Sequence, residues 1–224
     1  MPELEADLRR RFAVREEPFA HGPFSVDLLL PRSADELIDV SAFNTDERLP
    51  YWAELWPSAR ALTRWALDAP LPAGPALELG SGVALPALAL RWRGARVVAS
   101  DYYPEALEFA RVNALRNSIP PPDTLLLDWR RPPPGLGHFP LVVAADVLYE
   151  RRNADALLDL LPAVTEPGGR VVIADPGRVH AADFRAALES RGWSAREIAR
   201  AEEASGAPGS GAVSRIALWE LAPP

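Results

Sequence analysis

No stretch constrains this chain more than Pro75 to Asp101, PALELGSGVALPALALRWRGARVVASD. Ala76-Leu77-Glu78-Leu79 is a short apolar run suited to a buried strand, and Gly80-Ser81-Gly82 follows as a tight turn. From Val83 to Arg93 the apolar residues recur at helical spacing, and Ala95 to Ser100 is a second strand-like run that ends in Asp101. Strand, glycine turn, helix, strand and acid in that order predict a parallel βαβ unit. The acid stands 21 positions after Gly80. That spacing brings a carboxylate to the tip of the second strand, beside the turn, where it can accept both hydroxyls of a ribose.

The turn departs from the dinucleotide fingerprint G-x-G-x-x-G, because Leu85 occupies its sixth position. The third glycine, which lets helix and strand close around a pyrophosphate, is missing. Glu78 puts a carboxylate two residues before the first glycine, where a phosphate-binding loop would avoid one. An acid there suits a ligand with a cationic ammonium or sulfonium, so charge favours S-adenosylmethionine over NAD. A glycine-bearing turn with no ligand is the plain alternative.

Two further stretches carry chemistry. In LPYWAELWPSARALTRWAL, from Leu49 to Leu67, Pro57 and Ser58 open a helix whose apolar face holds Ala61, Leu62, Trp65 and Ala66. Trp52 and Trp56 precede it, four residues apart. Such aromatics can stack on adenine or face a sulfonium through cation–π attraction of ~0.5–2 kcal/mol each; packing in the core is the competing role, and Glu54 is placed to face the same site. Leu141 to Ala145 reads as the fourth strand and ends in Asp146-Val147-Leu148-Tyr149-Glu150. The carboxyl end of a central strand is where open α/β sheets place ligands.

Tyr102-Tyr103-Pro104 opens a helix that runs to about Arg116. Leu125 to Leu127 is the third strand, closed by Asp128-Trp129, a carboxylate and an indole that suit an adenine pocket or, for the indole, a cap on the core. Asn153 is read as the cap of the next helix. Arg170 to Ala174 is a strand, His180 to Arg191 a helix, and Trp193–Ala199 with Val213–Glu220 an antiparallel edge pair. Upstream, Phe12–Glu17 and Phe24–Leu30 pair as a hairpin across Pro18–Pro23, and Ser33 with Glu36 forms a capping box for a short helix to about Val40.

Composition narrows the class. With 224 residues, 48% of them hydrophobic and 25% charged, the chain can bury a full core. A net charge of -7 argues against a nucleic-acid surface, and no apolar run reaches membrane-spanning length. There is no cysteine, hence no disulfide framework and no thiolate metal site. The histidines, His21, His138 and His180, are scattered, and no metal-ligand spacing stands out. The N-terminus MPELEADLRRRF is charged and unlike a signal peptide, so a cytoplasmic enzyme is expected. All 24 basic residues are Arg; a GC-rich genome accounts for that bias.

With these residues placed, the chain resembles the Class I, seven-stranded S-adenosylmethionine-dependent methyltransferases. It looks most like the branch that methylates protein lysines, with the bacterial relatives of the electron-transfer-flavoprotein β-subunit lysine methyltransferase. The segments that carry the likeness are PYWAELWPSA, LELGSGVALPAL, VVASDYYPEALEFARVNALRN, LDW, VVAADVLYE and GGRVVIADPGR, from about Leu49 to Arg178. The resemblance implies an α/β, Rossmann-like sheet of order 3-2-1-4-5-7-6, mostly parallel with strand 7 antiparallel, and helices on both faces. Residues 48–224 would form this domain, and residues 1–47 a small β/α extension or lid.

It also implies site roles. Glu78, Gly80 and Gly82 would line the methionine part of S-adenosylmethionine, Asp101 would hold the ribose, and Asp128 and Trp129 would flank the adenine, with Ser81 and Tyr102 also at the cofactor. Trp52 or Trp56 would close the site, with Ala145 at the end of strand 4. Asp146 and Tyr149, the Asp-x-x-Tyr after that strand, would face the acceptor amine as catalytic residues and leave S-adenosylhomocysteine as product. Related enzymes acting on base amines or glutamine amides carry Asn- or Asp-Pro-Pro-aromatic there, and ADVLYE has no proline. A protein with an accessible lysine is thus the expected substrate, with no nucleic-acid or membrane partner and a monomeric enzyme. A lysine-free chain would also escape modifying itself. A small-molecule amine acceptor, or a non-catalytic binding subunit on the same fold, are the other classes. One departure is Ala84, where the family loop carries its third glycine and a methyl would crowd the cofactor.

Overall fold

The computed structural model describes residues 2–37, 49–205 and 211–224. The segments read as strands become a seven-stranded sheet whose central strands alternate their side chains between two buried faces. The strands are β3 (Pro75–Leu79), β4 (Arg96–Asp101), β5 (Asp123–Leu126), β6 (Phe139–Ala145), β7 (Thr165–Asp175), β8 (Ser194–Ala204) and β9 (Val213–Ala222). On β6, Val142 and Ala144 join one core while Leu141 and Val143 join another; on β7, Val171 and Ile173 separate from Val172 and Ala174 in the same way. A strand covered on both sides needs an unbroken apolar run, and that is what these segments provide.

Helices cover each face. α2 (Pro57–Asp68), α3 (Leu85–Trp92) and α4 (Pro104–Arg116) bury Ala61, Leu62, Ala87, Leu90 and Ala110 on one side. On the other, α5 (Arg151–Val164) and α6 (Ala181–Ser190) bury Leu157, Leu161, Phe184 and Leu188. Each of α2, α3 and α4 has a proline in its first turn, where no backbone donor is lost and φ is already helical. The strand order is β5-β4-β3-β6-β7-β9-β8, parallel except for β9, which runs antiparallel to both neighbours. Counted within the sheet this is 3-2-1-4-5-7-6, the expected topology. The order reverses between β3 and β6, and that switch point fixes where a ligand cleft opens.

Residues 2–31 form a helix, α1 (Pro2–Arg11), and a hairpin, β1 (Val14–His21) with β2 (Phe24–Pro31). The hairpin is tighter than expected: Pro18 lies inside β1 opposite Asp27, and only Gly22 and Pro23 make the turn. Edge position tolerates a proline that a central strand would not. α1 was not foreseen; its acids stand in the first turn and its arginines in the last, so charge rather than an apolar stripe supports it. Asn113 of α4 ties the hairpin to the main sheet, accepting from Leu29 N at 2.7 Å and donating to Leu29 O at 3.0 Å. It also donates to Val83 O at 3.3 Å, so one buried amide links extension and glycine turn.

The remaining differences are local. The Ser33 helix is a 3₁₀ turn over Asp35–Leu37, where Ser33 Oγ accepts from Asp35 N and Glu36 pairs with Arg32 instead of closing a box. The rest of that predicted helix lies outside the described residues. Asn153 does not cap α5, which begins two residues earlier after Glu150; it is buried in the first turn. Among the described residues no helix is long and apolar enough to cross a membrane.

Candidate active site

A cleft of about 1060 Å³, its open mouth included, lies at the carboxyl ends of β3, β4 and β6. All the site residues named from the sequence line it, from Glu78, Asp101 and Trp129 to Asp146 and Tyr149. Most of them stand at the carboxyl end of a parallel strand or in the loop after it, and so emerge on the same edge of the sheet, while Trp52 and Trp56 reach that edge from the segment before α2.

The inner end is built on backbone. Gly80 and Gly82 have φ of 66° and 51°, which side chains rarely adopt. Space forbids a side chain as well: a Cβ on Gly82 would lie 3.0 Å from Trp52 O, and one on Gly80 would lie 3.2 Å from the Trp129 ring. Asp101 crosses the turn, its Oδ2 accepting from Gly82 N at 2.9 Å and its Oδ1 from Tyr103 N at 3.0 Å. Glu78 is buried and accepts from Ala87 N, in the first turn of α3, at 3.0 Å. Burial pushes its carboxyl well above the usual range, Ala87 N–H opposes this, and the nearby Asp101 adds to it.

Ala84 departs from what the sequence implied. It sits in the left-handed region at φ 65°, the conformation for which a glycine is usual, but its methyl is wholly buried in the core beneath α2, α3 and α4. It does not line the cleft. The consequence of the missing glycine is backbone strain, not crowding of a ligand.

The aromatic residues divide. Trp52 is buried, its ring 5.6 Å from Phe109 and 6.3 Å from Tyr103, so most of its indole belongs to the core under the hairpin. Trp56 stands at the mouth, its Nε1 donating to Tyr51 O at 2.9 Å and its ring 5.9 Å from that of Tyr51. Tyr51 in turn meets Tyr149 edge-on at 5.1 Å. Tyr51 went unremarked in the sequence, although it lies inside the PYWAELW segment. Asp128 is engaged by Arg130, which donates from Nε at 2.9 Å and from Nη2 at 2.8 Å.

Asp146 has a left-handed backbone, φ 57°, held by its N–H donating to Ala174 O at 2.9 Å. Strain in a non-glycine residue at a strand tip marks a side chain aimed for a purpose. Its carboxylate receives both prongs of Arg178, Nε to Oδ1 at 2.6 Å and Nη2 to Oδ2 at 3.1 Å. Arg178 was not singled out from the sequence. Asp175 fixes its loop, accepting from Gly177 N at 2.7 Å and Arg178 N at 2.9 Å. Burial pushes the Asp175 carboxyl up, against those two backbone donors.

The cleft passes a test for S-adenosylmethionine. Ser81 Oγ and Trp129 Nε1 are buried polar atoms on its wall with no hydrogen-bond partner, and such groups normally have one. The glycine cradle, the buried acid and the carboxylate at the β4 tip match an ammonium, a sulfonium and a ribose. Among the described residues no three metal-ligating side chains converge.

The profile of a methyltransferase-domain family matches residues 77–173. The electron transfer flavoprotein β-subunit lysine methyltransferase of Xenopus laevis is 38% identical over 135 residues, 58% of this chain and 53% of that protein. Residues 77–173 thus form a methyltransferase domain of the Class I, S-adenosylmethionine-dependent kind. The ribosomal protein L11 methyltransferase of Azotobacter vinelandii is 32% identical over 151 residues, 64% of this chain and 48% of that protein. The chain thus spans about half the length of the curated relatives it matches. Magnesium protoporphyrin IX methyltransferase from Synechocystis PCC 6803, solved with bound S-adenosylmethionine, superposes with a TM-score of 0.57 at 21% identity. The match covers 82% of this chain and 85% of that one, and it shows the fold.

Proposed function

We propose that this protein is an S-adenosylmethionine-dependent N-methyltransferase that methylates lysine side chains of a protein substrate. The observation that carries the reading is the Asp146 carboxylate at the tip of β6, walled by Tyr149, Tyr51 and Trp56, at the end of a cleft that begins with the glycine turn. Relatives named for lysine methylation of one protein and methylation of another support a protein acceptor.

Glu78, Gly80, Ser81 and Gly82 would hold the methionine part of the cofactor, Asp101 and Tyr102 the ribose, and Asp128, Trp129 and Ala145 the adenine side. When bound, S-adenosylmethionine supplies a methyl group on a cationic sulfur, whose charge also disfavours an ammonium beside it. The chain's own task is to present a neutral amine in line. A lysine of pKa ~10.4 costs about 4.6 kcal/mol to neutralise at pH 7. The rings of Tyr149, Tyr51 and Trp56 exclude water and lower that cost by desolvation. Asp146 accepts a hydrogen bond from the amine, turns its lone pair toward the cleft and offers the departing proton a base.

The test is calorimetric titration with S-adenosylhomocysteine, then radiolabelled methyl transfer into a lysate from a strain lacking the gene. Micromolar binding and a labelled protein whose methyl maps to lysine are expected. Binding with label only in small molecules would move the acceptor to a metabolite amine, and absence of binding would leave a non-catalytic subunit.

A further inference from the structure

The cleft has a neighbour. A larger cavity of about 2450 Å³, open to solvent, lies between β1, the start of α2, the Asp175–Arg178 loop and the β8–β9 end of the sheet. Both cavities are lined by Glu54, Leu55, Trp56 and Asp146, so they meet where the acceptor amine is expected. Arg178 lines the outer cavity and not the cleft. Its guanidinium pairs with Asp146 through both oxygens and lies 5.7 Å from the centre of the Trp56 ring.

An acid and an aromatic face are what a cationic side chain seeks. Here they are filled by a cation of the chain itself, on a short turn where Gly177 has φ 90°. Burial is one-sided: the Asp146 side chain is 4% exposed and that of Arg178 35%, so the arginine sits on its partner from the solvent side. The wall of the outer cavity is strongly charged: among the described residues it carries Glu17, Glu54 and Glu203, paired with Arg15, Arg60 and Arg64, while Glu16 is paired with Arg9 and Arg116.

We propose that Arg178 is a place-holder for the acceptor's cation: it occupies the seat formed by Asp146 and Trp56, and the acceptor side chain comes through the outer cavity and replaces it. This rests on the reading of the site as an amine methyltransferase and adds a positioning residue that sets acceptor affinity. A seat occupied by its own arginine lowers the apparent affinity of an incoming cation by the fraction of time it is closed. A pair closed about nine-tenths of the time would cost a factor of about ten.

The probe is the peptide acetyl-Gly-Lys-Gly-amide, titrated by tryptophan fluorescence into protein saturated with S-adenosylhomocysteine. Arg178→Ala should bind it about tenfold more tightly than wild type, and Asp146→Asn in that background should erase the gain. S-adenosylhomocysteine affinity should stay within threefold throughout. Arg178→Met, which keeps the apolar stem over Trp56, repeats the test should alanine loosen the loop. In the wild type, the Arg178 Nε–H signal in ¹⁵N NMR, assigned by its loss in Arg178→Lys, should move as the peptide saturates. No gain in either variant, a gain that survives Asp146→Asn, or an unmoved Nε–H signal each overturns the proposal. Failure of methyl transfer to lysine with the gain intact would instead sink the function proposed above and leave the place-holder standing.

Discussion

At the inner end of the cleft the two buried acids are tied to backbone: Asp101 to Gly82 and Tyr103, Glu78 to Ala87. At the outer end the polar contacts run between side chains on separate loops, Asp146 after β6, Trp56 before α2 and Arg178 after β7. The first arrangement cannot change without disturbing strands that are buried on both faces. The second can open by rotating one arginine. A cofactor site shared with related enzymes suits the rigid end, and an acceptor site that differs from enzyme to enzyme suits the adaptable one. If that division holds, substitutions at the two ends should separate cleanly into binding and turnover.

The largest separation is expected from Asp146→Asn. Removing the acceptor's base and charge should lower methyl transfer by on the order of 10²–10⁴-fold, while S-adenosylhomocysteine affinity measured by calorimetry stays within threefold. Equal losses in both would break the comparison, since Asp146 would then serve the cofactor. Asp101→Ala should behave in the opposite way, weakening S-adenosylhomocysteine by about 10- to 100-fold, the worth of one or two hydrogen bonds to a charge. It should also lower the melting temperature of the free protein, because Gly82 N and Tyr103 N lose their acceptor. Unchanged affinity would remove Asp101 from the ribose role.

The rigid end was legible in the sequence and the adaptable end only in part. Strand, glycine turn and acid are local patterns, and the apolar runs around them admit one sheet. Asp146 and Tyr149 were legible because they follow a strand in a motif that a known family shares. Arg178 was not: it lies 32 positions from Asp146, and no periodicity links a loop arginine to a loop acid. Asn113 escaped for the same reason, as a polar residue on an otherwise apolar helix face whose partners are on β2 and the glycine turn. Trp52 was ambiguous because core packing and ligand stacking ask for the same side chain.

Glu78 sharpens the comparison through pH. Its folded-state pKa is raised, so its contribution to stability is full below the unfolded value near 4.3 and is lost as pH rises through the folded value. Glu78→Gln removes that loss and leaves an oxygen for Ala87 N. The melting temperature of the cofactor-free variant should therefore gain on wild type as pH rises above the ordinary carboxylate range. S-adenosylhomocysteine should bind the variant up to about tenfold more weakly, as expected for losing one charged partner. In the wild type its affinity should increase with pH over the Glu78 titration, because the ligand's ammonium favours the ionised form. A flat affinity profile would separate Glu78 from the ligand and leave it as a cap on α3.

The smallest effect is expected at Ala84, and its smallness is the point. The left-handed conformation costs an alanine roughly 1–2 kcal/mol. Replacing it with glycine relieves that strain but removes a buried methyl worth about 0.8 kcal/mol and adds about 0.5–1 kcal/mol of chain entropy to be lost on folding. These terms nearly cancel, so Ala84→Gly should shift unfolding free energy by less than about 1 kcal/mol in urea titration. S-adenosylhomocysteine affinity should not change, because the methyl faces the core and not the cleft. A tenfold gain in affinity would show that the methyl does press on the cofactor. The rigid end would then carry a defect that the buried position of Ala84 does not account for.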